Sequence, residues 1–148
     1  MSLERVFEAL DGSSDAAIAD LRHLMRQPSV TRDEQACAGC AEEVAALMRA
    51  SGLHAEVLAA HHNPMVFGQT EQRPDRPTLL IAGHYDVVEP GPREAWTNDP
   101  FGADLVDGDI RGRGAVDPKG NLVAGIKAAE AFLKVAGEHE PDLPEAAT

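Results

Sequence analysis

Aromatic residues are scarce in this chain: one tryptophan, one tyrosine and four phenylalanines among 148 residues. Apolar side chains still make up 43% of the sequence, much of it alanine, so the interior must be built from small and aliphatic groups. Closely packed helices on a sheet have that character. Cationic residues are also few, 13 against 25 acidic ones, giving a net charge of −12 and a pI near 4.8. That balance excludes the basic face that nucleic acid or an anionic membrane surface would require. No apolar run approaches the roughly 18 residues that a bilayer-spanning helix needs. The stretch Met1 to Glu8 has acids within its apolar run and lacks a signal-peptide core, so a cytoplasmic location is expected. With two cysteines there is no disulfide framework. Cys37 and Cys40 form a Cys-x-x-Cys, but inside a helical pattern, with no strand before it and no second cysteine pair. They read as small helix residues, at least one of them buried, in preference to a redox pair or half a zinc knuckle. The length suits one domain with a real core.

What is present is a change of periodicity along the chain. From Asp15 to Met25, Ile18, Leu21, Leu24 and Met25 recur at helical spacing, and the pattern stops at Gln27-Pro28. A longer helix is predicted from Asp33 to Ala50, with Val44, Leu47 and Met48 on one face and Ser51-Gly52 as its stop. Thr31, three residues before Glu34, has the spacing of a capping box. Short β-prone runs follow at Ala55–Ala60, Met65–Gly68 and Thr78–Ala82. The last is apolar at almost every position, as a strand covered on both faces would be. Leu105 to Ile110 reads as a hairpin on the Asp107-Gly108 turn. A final helix is predicted from Lys119 to Lys134, with Leu122, Ile126, Ala129 and Leu133 as its stripe, and residues 137–148 read as a loose tail.

Two segments carry chemistry. His84 stands where the apolar run Thr78–Ala82 leaves the sheet, a position at which open α/β sheets build ligand crevices. Asp86 lies two residues on, and in an extended segment both side chains leave the same face. The carboxylate can then fix the imidazole tautomer, the usual support of a zinc-ligating histidine. Asp117 follows the glycines at 108, 112 and 114 and immediately precedes a helix start, where the helix dipole favours its ionised form. Imidazole and carboxylate are zinc's common non-thiolate ligands. The plainer roles are a satisfied core histidine for His84 and a simple N-terminal cap for Asp117. Asp117-Pro118 also admits a cis peptide at modest cost.

The blocks Gly83-His84-Tyr85-Asp86-Val87-Val88, Trp96-Thr97-Asn98-Asp99-Pro100-Phe101, Asp107-Gly108 and Gly112-Arg113-Gly114-Ala115-Val116-Asp117-Pro118-Lys119-Gly120 together resemble the N-terminal signature of the M20 metallopeptidases and amidohydrolases. That family includes acetylornithine deacetylase, succinyl-diaminopimelate desuccinylase and carnosinase-like dipeptidases. The Gly-His-Tyr-Asp-Val form is most similar to the dipeptidase-like branch. The resemblance implies an α/β three-layer sandwich whose central sheet is mixed and mainly parallel, flanked by helices, with residues 1–136 forming the N-terminal part of the catalytic domain. It implies metal-ligand roles for His84 and for Asp117, the latter bridging two divalent ions, and a supporting catalytic role for Asp86 in orienting His84. The ions would be zinc, or else cobalt or manganese, activating a water against the amide carbonyl of a small peptide or acylated amino acid. A cis peptide after Asp117 also fits the family.

The family's Glu-Glu pair, its remaining ligands and its lid domain, which supplies homodimer contacts, have no counterpart here. The chain is therefore expected to be an incomplete portion of such a hydrolase, binding metal weakly and not turning over substrate alone. The alternative is an α/β binding or scaffolding module that keeps only the fold. Dinucleotide binding is a poor reading, since Gly112-Arg113-Gly114 lacks the third glycine of that fingerprint. His61-His62 would point to opposite faces of a strand, and Arg113 reads as a buried arginine paired with a carboxylate.

Overall fold

A computed structural model describes residues 2–139, apart from the side chains of Glu138 and His139. The elements run α1 (Leu3–Asp11), α2 (Ser14–Met25), α3 (Glu34–Ala50), β1 (His54–Leu58), β2 (Met65–Gln69), a 3-10 turn (Arg93–Ala95), β3 (Asp104–Val106), β4 (Asp109–Arg111) and α4 (Lys119–His139). β1 and β2 pair antiparallel, with His54 opposite Gln69 and Leu58 opposite Met65. β3 and β4 form the expected hairpin. Its turn residues Asp107 and Gly108 both have positive φ, at 54° and 88°, as a tight two-residue turn demands.

The core is assembled from small and aliphatic groups. Leu24 of α2, Cys40 and Val44 of α3 and Val123 of α4 form one buried cluster, with Tyr85, Met48 and Leu122 packed against it. Val6 of α1 meets Ala131 and Val135 of α4 in a second. Both cysteines are buried and unpaired. Burial pushes both thiols above their ordinary pKa, which keeps them protonated and suits the packing role read from the sequence. α4 continues to His139, beyond the predicted end at Lys134. The rest of the expected loose tail lies outside the described residues. α1 was not foreseen, because the acids at Glu4 and Glu8 obscure a short helix anchored through one buried residue, Val6.

Two expectations need correction. The cap of α3 is Asp33, whose carboxylate accepts from the Ala36 backbone N–H at 2.9 Å, and the Thr31 hydroxyl is engaged elsewhere. Thr78–Ala82 takes no strand partner among the described residues, and Leu79 and Leu80 are 83% and 82% exposed. The chain keeps the α/β character of its class, but its described residues do not themselves form the mainly parallel central sheet. The continuous apolar run is a two-face burial pattern for which only one face is partly met. Ile81 lies so close over α4 that a β-carbon on Gly125 would sit 3.2 Å from it.

Candidate metal centre

Two backbone connections bring the chemical residues together. The turn after α2 runs alongside the segment that follows His84, with Val30 and Val87 forming a parallel bridge. Thr31 N–H donates to the Val87 carbonyl at 3.0 Å, and Val87 N–H donates to the Ser29 carbonyl at 2.8 Å. The Ser29 hydroxyl adds a bond to the Tyr85 carbonyl at 2.7 Å. The second connection is the glycine-rich loop into α4. Gly112 and Gly114 have positive φ, at 153° and 85°. A β-carbon on Gly112 would meet the Pro100 carbonyl oxygen and the Met25 side chain, both at 2.9 Å, so only glycine lets the loop pass. The Asp117-Pro118 peptide is cis, as the sequence allowed.

Lys119, at the start of α4, is completely buried. Its ammonium donates to the carbonyls of Leu24 at 2.8 Å and Gln27 at 2.6 Å, at the C-terminal end of α2. A cation there complements the negative end of the helix dipole, although burial lowers its pKa. The first turn of α4, and with it Asp117, is thereby tied to the same helix end that leads into the Ser29–Thr31 turn.

The three predicted residues converge. His84 Nδ1 lies 3.0 Å from Asp86 Oδ1, and His84 Nε2 lies 3.2 Å from Asp117 Oδ1. Ionised carboxylates can only accept, so Nδ1 faces Asp86 and Nε2 faces Asp117 as possible donors, and a charged ring donates to both. Burial opposes charge on the ring and is the largest single influence on it. The hydrogen bond and charge of Asp86, joined by those of Asp117, outweigh it and raise the His84 pKa. For Asp86, burial works in the opposite direction to its hydrogen bonds from Thr31 and His84, which prevail and lower its pKa. The Asp117 side chain is 84% exposed and that of His84 60%, so the pair faces an open cleft also lined by Thr31, Val87 and Arg113.

The donor set suits a divalent metal. Two ligand atoms about 2.0–2.1 Å from one tetrahedral ion lie about 3.3 Å apart. The 3.2 Å between His84 Nε2 and Asp117 Oδ1 matches that spacing. No group of three or more His, Cys, Asp or Glu side chains that could hold a metal ion occurs among the described residues.

Other expectations divide. His61 and His62 lie beyond the end of β1 and their rings meet edge to face with centroids 4.6 Å apart, so they do not point to opposite faces as a strand would place them, and neither lines the cleft. Arg113 finds no carboxylate among the described residues. Its guanidinium instead lies 5.1 Å from the centre of the Trp96 ring, and its Nε is buried without a hydrogen-bond partner. Trp96 is tied within the proline-rich loop, donating from Nε1 to the Pro90 carbonyl at 2.8 Å. The residue that sequence reasoning missed is Thr31, whose hydroxyl lies 2.8 Å from Asp86 Oδ2. Its spacing from Glu34 pointed to a helix cap and concealed the long-range contact.

A histidine–carboxylate pair facing a second carboxylate is a donor set of the kind a divalent metal takes. The comparisons with known proteins agree. A family model described as Peptidase family M20/M25/M40 matches residues 80–143 of this chain. Succinyl-diaminopimelate desuccinylase from Xylella fastidiosa (strain M23) is 43% identical over 122 residues, covering 81% of this chain and 30% of that protein. Among solved structures, human carnosine dipeptidase 1 superposes with a TM-score of 0.81 at 26% identity, over 91% of this chain and 32% of the other. An M20 family metallo-carboxypeptidase from Sulfolobus solfataricus gives 0.74 at 27% identity, over 81% and 28%. The chain spans about a third of the length of the curated relatives it matches. The curated relatives it matches are desuccinylases, whereas the solved neighbours include dipeptidases.

Proposed function

We propose that this chain supplies the first half of the metal centre of an M20-type hydrolase, which cleaves the amide bond of a small peptide or an N-acylated amino acid. The reading rests on one observation above the rest: His84 turns Nδ1 to Asp86 and Nε2 to Asp117, at a spacing that one ion can bridge. His84 and Asp117 would hold divalent metal, zinc foremost, with cobalt or manganese as alternatives and Asp117 shared between two ions. When bound, the metal polarises the amide carbonyl and lowers the pKa of a water. With Asp86 holding a proton on Nδ1, a metal would take the place of the proton on Nε2. The exposed Asp117 carboxylate offers both oxygens to the cleft.

Residues 1–136 would form the N-terminal part of the catalytic domain. The whole enzyme would be a cytoplasmic homodimer, joined through a lid domain. Names of relatives make N-succinyl-diaminopimelate the first substrate to try, with a dipeptide second. The 148 residues alone should show no hydrolysis, because a catalytic zinc needs about three protein ligands and a general base. The test is amide hydrolysis of both substrates by the purified chain with added zinc, with and without chelator. No chelator-sensitive turnover is expected. A clear rate lost on chelation would refute the half-site reading.

A further inference from the structure

Thr31 sits outside the residues that touch a metal or a substrate in the reading above, yet it completes their geometry. Asp86 has both oxygens engaged: Oδ1 with His84 Nδ1 at 3.0 Å and Oδ2 with the Thr31 hydroxyl at 2.8 Å. The same hydroxyl lies 3.1 Å from the Val87 carbonyl, so its single proton has two acceptors on the segment that carries Asp86. Thr31 cannot drift from this position. Its backbone N–H is bonded to Val87, and the neighbouring Ser29 carbonyl accepts from Val87 N–H. Asn63 donates from its side chain to the Thr31 carbonyl at 3.2 Å, tying the residue to the β1–β2 connection as well. A carboxylate held through one oxygen can rotate about its Cβ–Cγ bond. Held through both, it presents Oδ1 in one direction.

We infer that Thr31 is a positioning residue of the metal centre. Its hydroxyl fixes the Asp86 carboxylate, and through it the Nδ1–H tautomer that aims His84 Nε2 at Asp117. The consequence for metal rests on the function proposed above, whereas the tautomer does not, so the two can fail separately. The chemistry is specific to a hydroxyl. Valine has the same branched shape but offers no donor, and serine keeps the donor on a smaller frame.

The experiment uses the full 148-residue chain, with zinc as the probe. Long-range proton–nitrogen NMR at a pH where the ring is neutral reads the His84 tautomer without metal, and chelator competition reads zinc affinity. Wild type should hold His84 mainly as Nδ1–H. Thr31→Val should give a mixture of tautomers and weaken zinc roughly tenfold, the low end for loss of a supporting carboxylate contact. Thr31→Ser should restore both. In an Asp86→Asn background, Thr31→Val should change neither any further, which a purely structural role would not predict. An unchanged tautomer and unchanged zinc affinity in Thr31→Val, with only a lower melting temperature, would overturn the inference. So would a wild-type His84 that is mainly Nε2–H. If zinc binds to wild type at none of these residues, the metal reading falls and the tautomer measurement still decides the role of Thr31.

Discussion

Gly120 offers a prediction in which one methyl group should do opposite things at two places. It lies in the first turn of α4, and a β-carbon added there would overlap the carbonyl oxygen of Ala115. That oxygen belongs to the backbone and cannot rotate away, so the 115–117 segment must move by about an ångström to regain ordinary contact. Alanine is better than glycine in a helix by about 0.5–1 kcal/mol, while forcing a backbone shift by overpacking costs about 1–3 kcal/mol. The net loss for Gly120→Ala is thus up to about 2.5 kcal/mol, a fall in melting temperature of up to roughly 10 °C for a chain of this size. Gly39 in the middle of α3 is exposed and has nothing within 4 Å of its added β-carbon. Gly39→Ala should therefore stabilise by about 0.5–1 kcal/mol. The segment that must move at Gly120 carries Asp117 two residues on, so zinc affinity should fall by about tenfold or more in that variant and stay unchanged in Gly39→Ala. Thermal denaturation and chelator competition on the three proteins provide the assay. Equal stabilisation by both alanines, with zinc affinity intact, would refute the packing argument for the loop into α4.

Two further outcomes follow from groups wholly or partly withdrawn from solvent. Tyr85 is the chain's one tyrosine, and its hydroxyl donates to the Pro64 carbonyl at 2.6 Å. Burial pushes its phenol up to about 12, so absorbance titration near 295 nm should show a late ionisation. A raised pKa means that the stabilisation it brings is complete below the ordinary value of 10.0 and is lost as pH rises towards 12. Alkaline unfolding should begin within that window, and a titration centred near 10 in the folded protein would contradict the burial. Cys37 and Cys40, buried with raised thiol pKa values, should resist a thiol reagent in the native state and both react after denaturation. Rapid native labelling would indicate that α3 is packed differently.

The sequence made the site legible because its residues are close in the chain or fixed by local rules. His84 and Asp86 share a face through strand geometry alone, and Asp117 is placed by glycines with positive φ and by the start of α4. The Asp107-Gly108 hairpin was equally local. What escaped was non-local or incomplete. Thr31 meets Asp86 across 55 residues of chain, and a nearby glutamate made it look like a cap. Lys119 reaches back to the end of α2 across 95 residues, which no periodicity records. Thr78–Ala82 has the composition of a central strand, but strand composition names a burial environment and not the partners that provide it. Arg113 looked like an ion-pair residue and lies instead against an aromatic ring.

The central claim is that His84 and Asp117 hold metal through Nε2 and a carboxylate, with Nδ1 kept protonated by Asp86. The most direct test is long-range proton–nitrogen NMR of the chain titrated with zinc, in wild type and in Asp117→Asn. Of the six histidines, His84 alone should take on the shift of a metal-bound Nε2 with Nδ1 still protonated, and the response should weaken in Asp117→Asn. Zinc that instead perturbs His61 and His62, or that binds His84 equally well without the Asp117 carboxylate, would contradict the account.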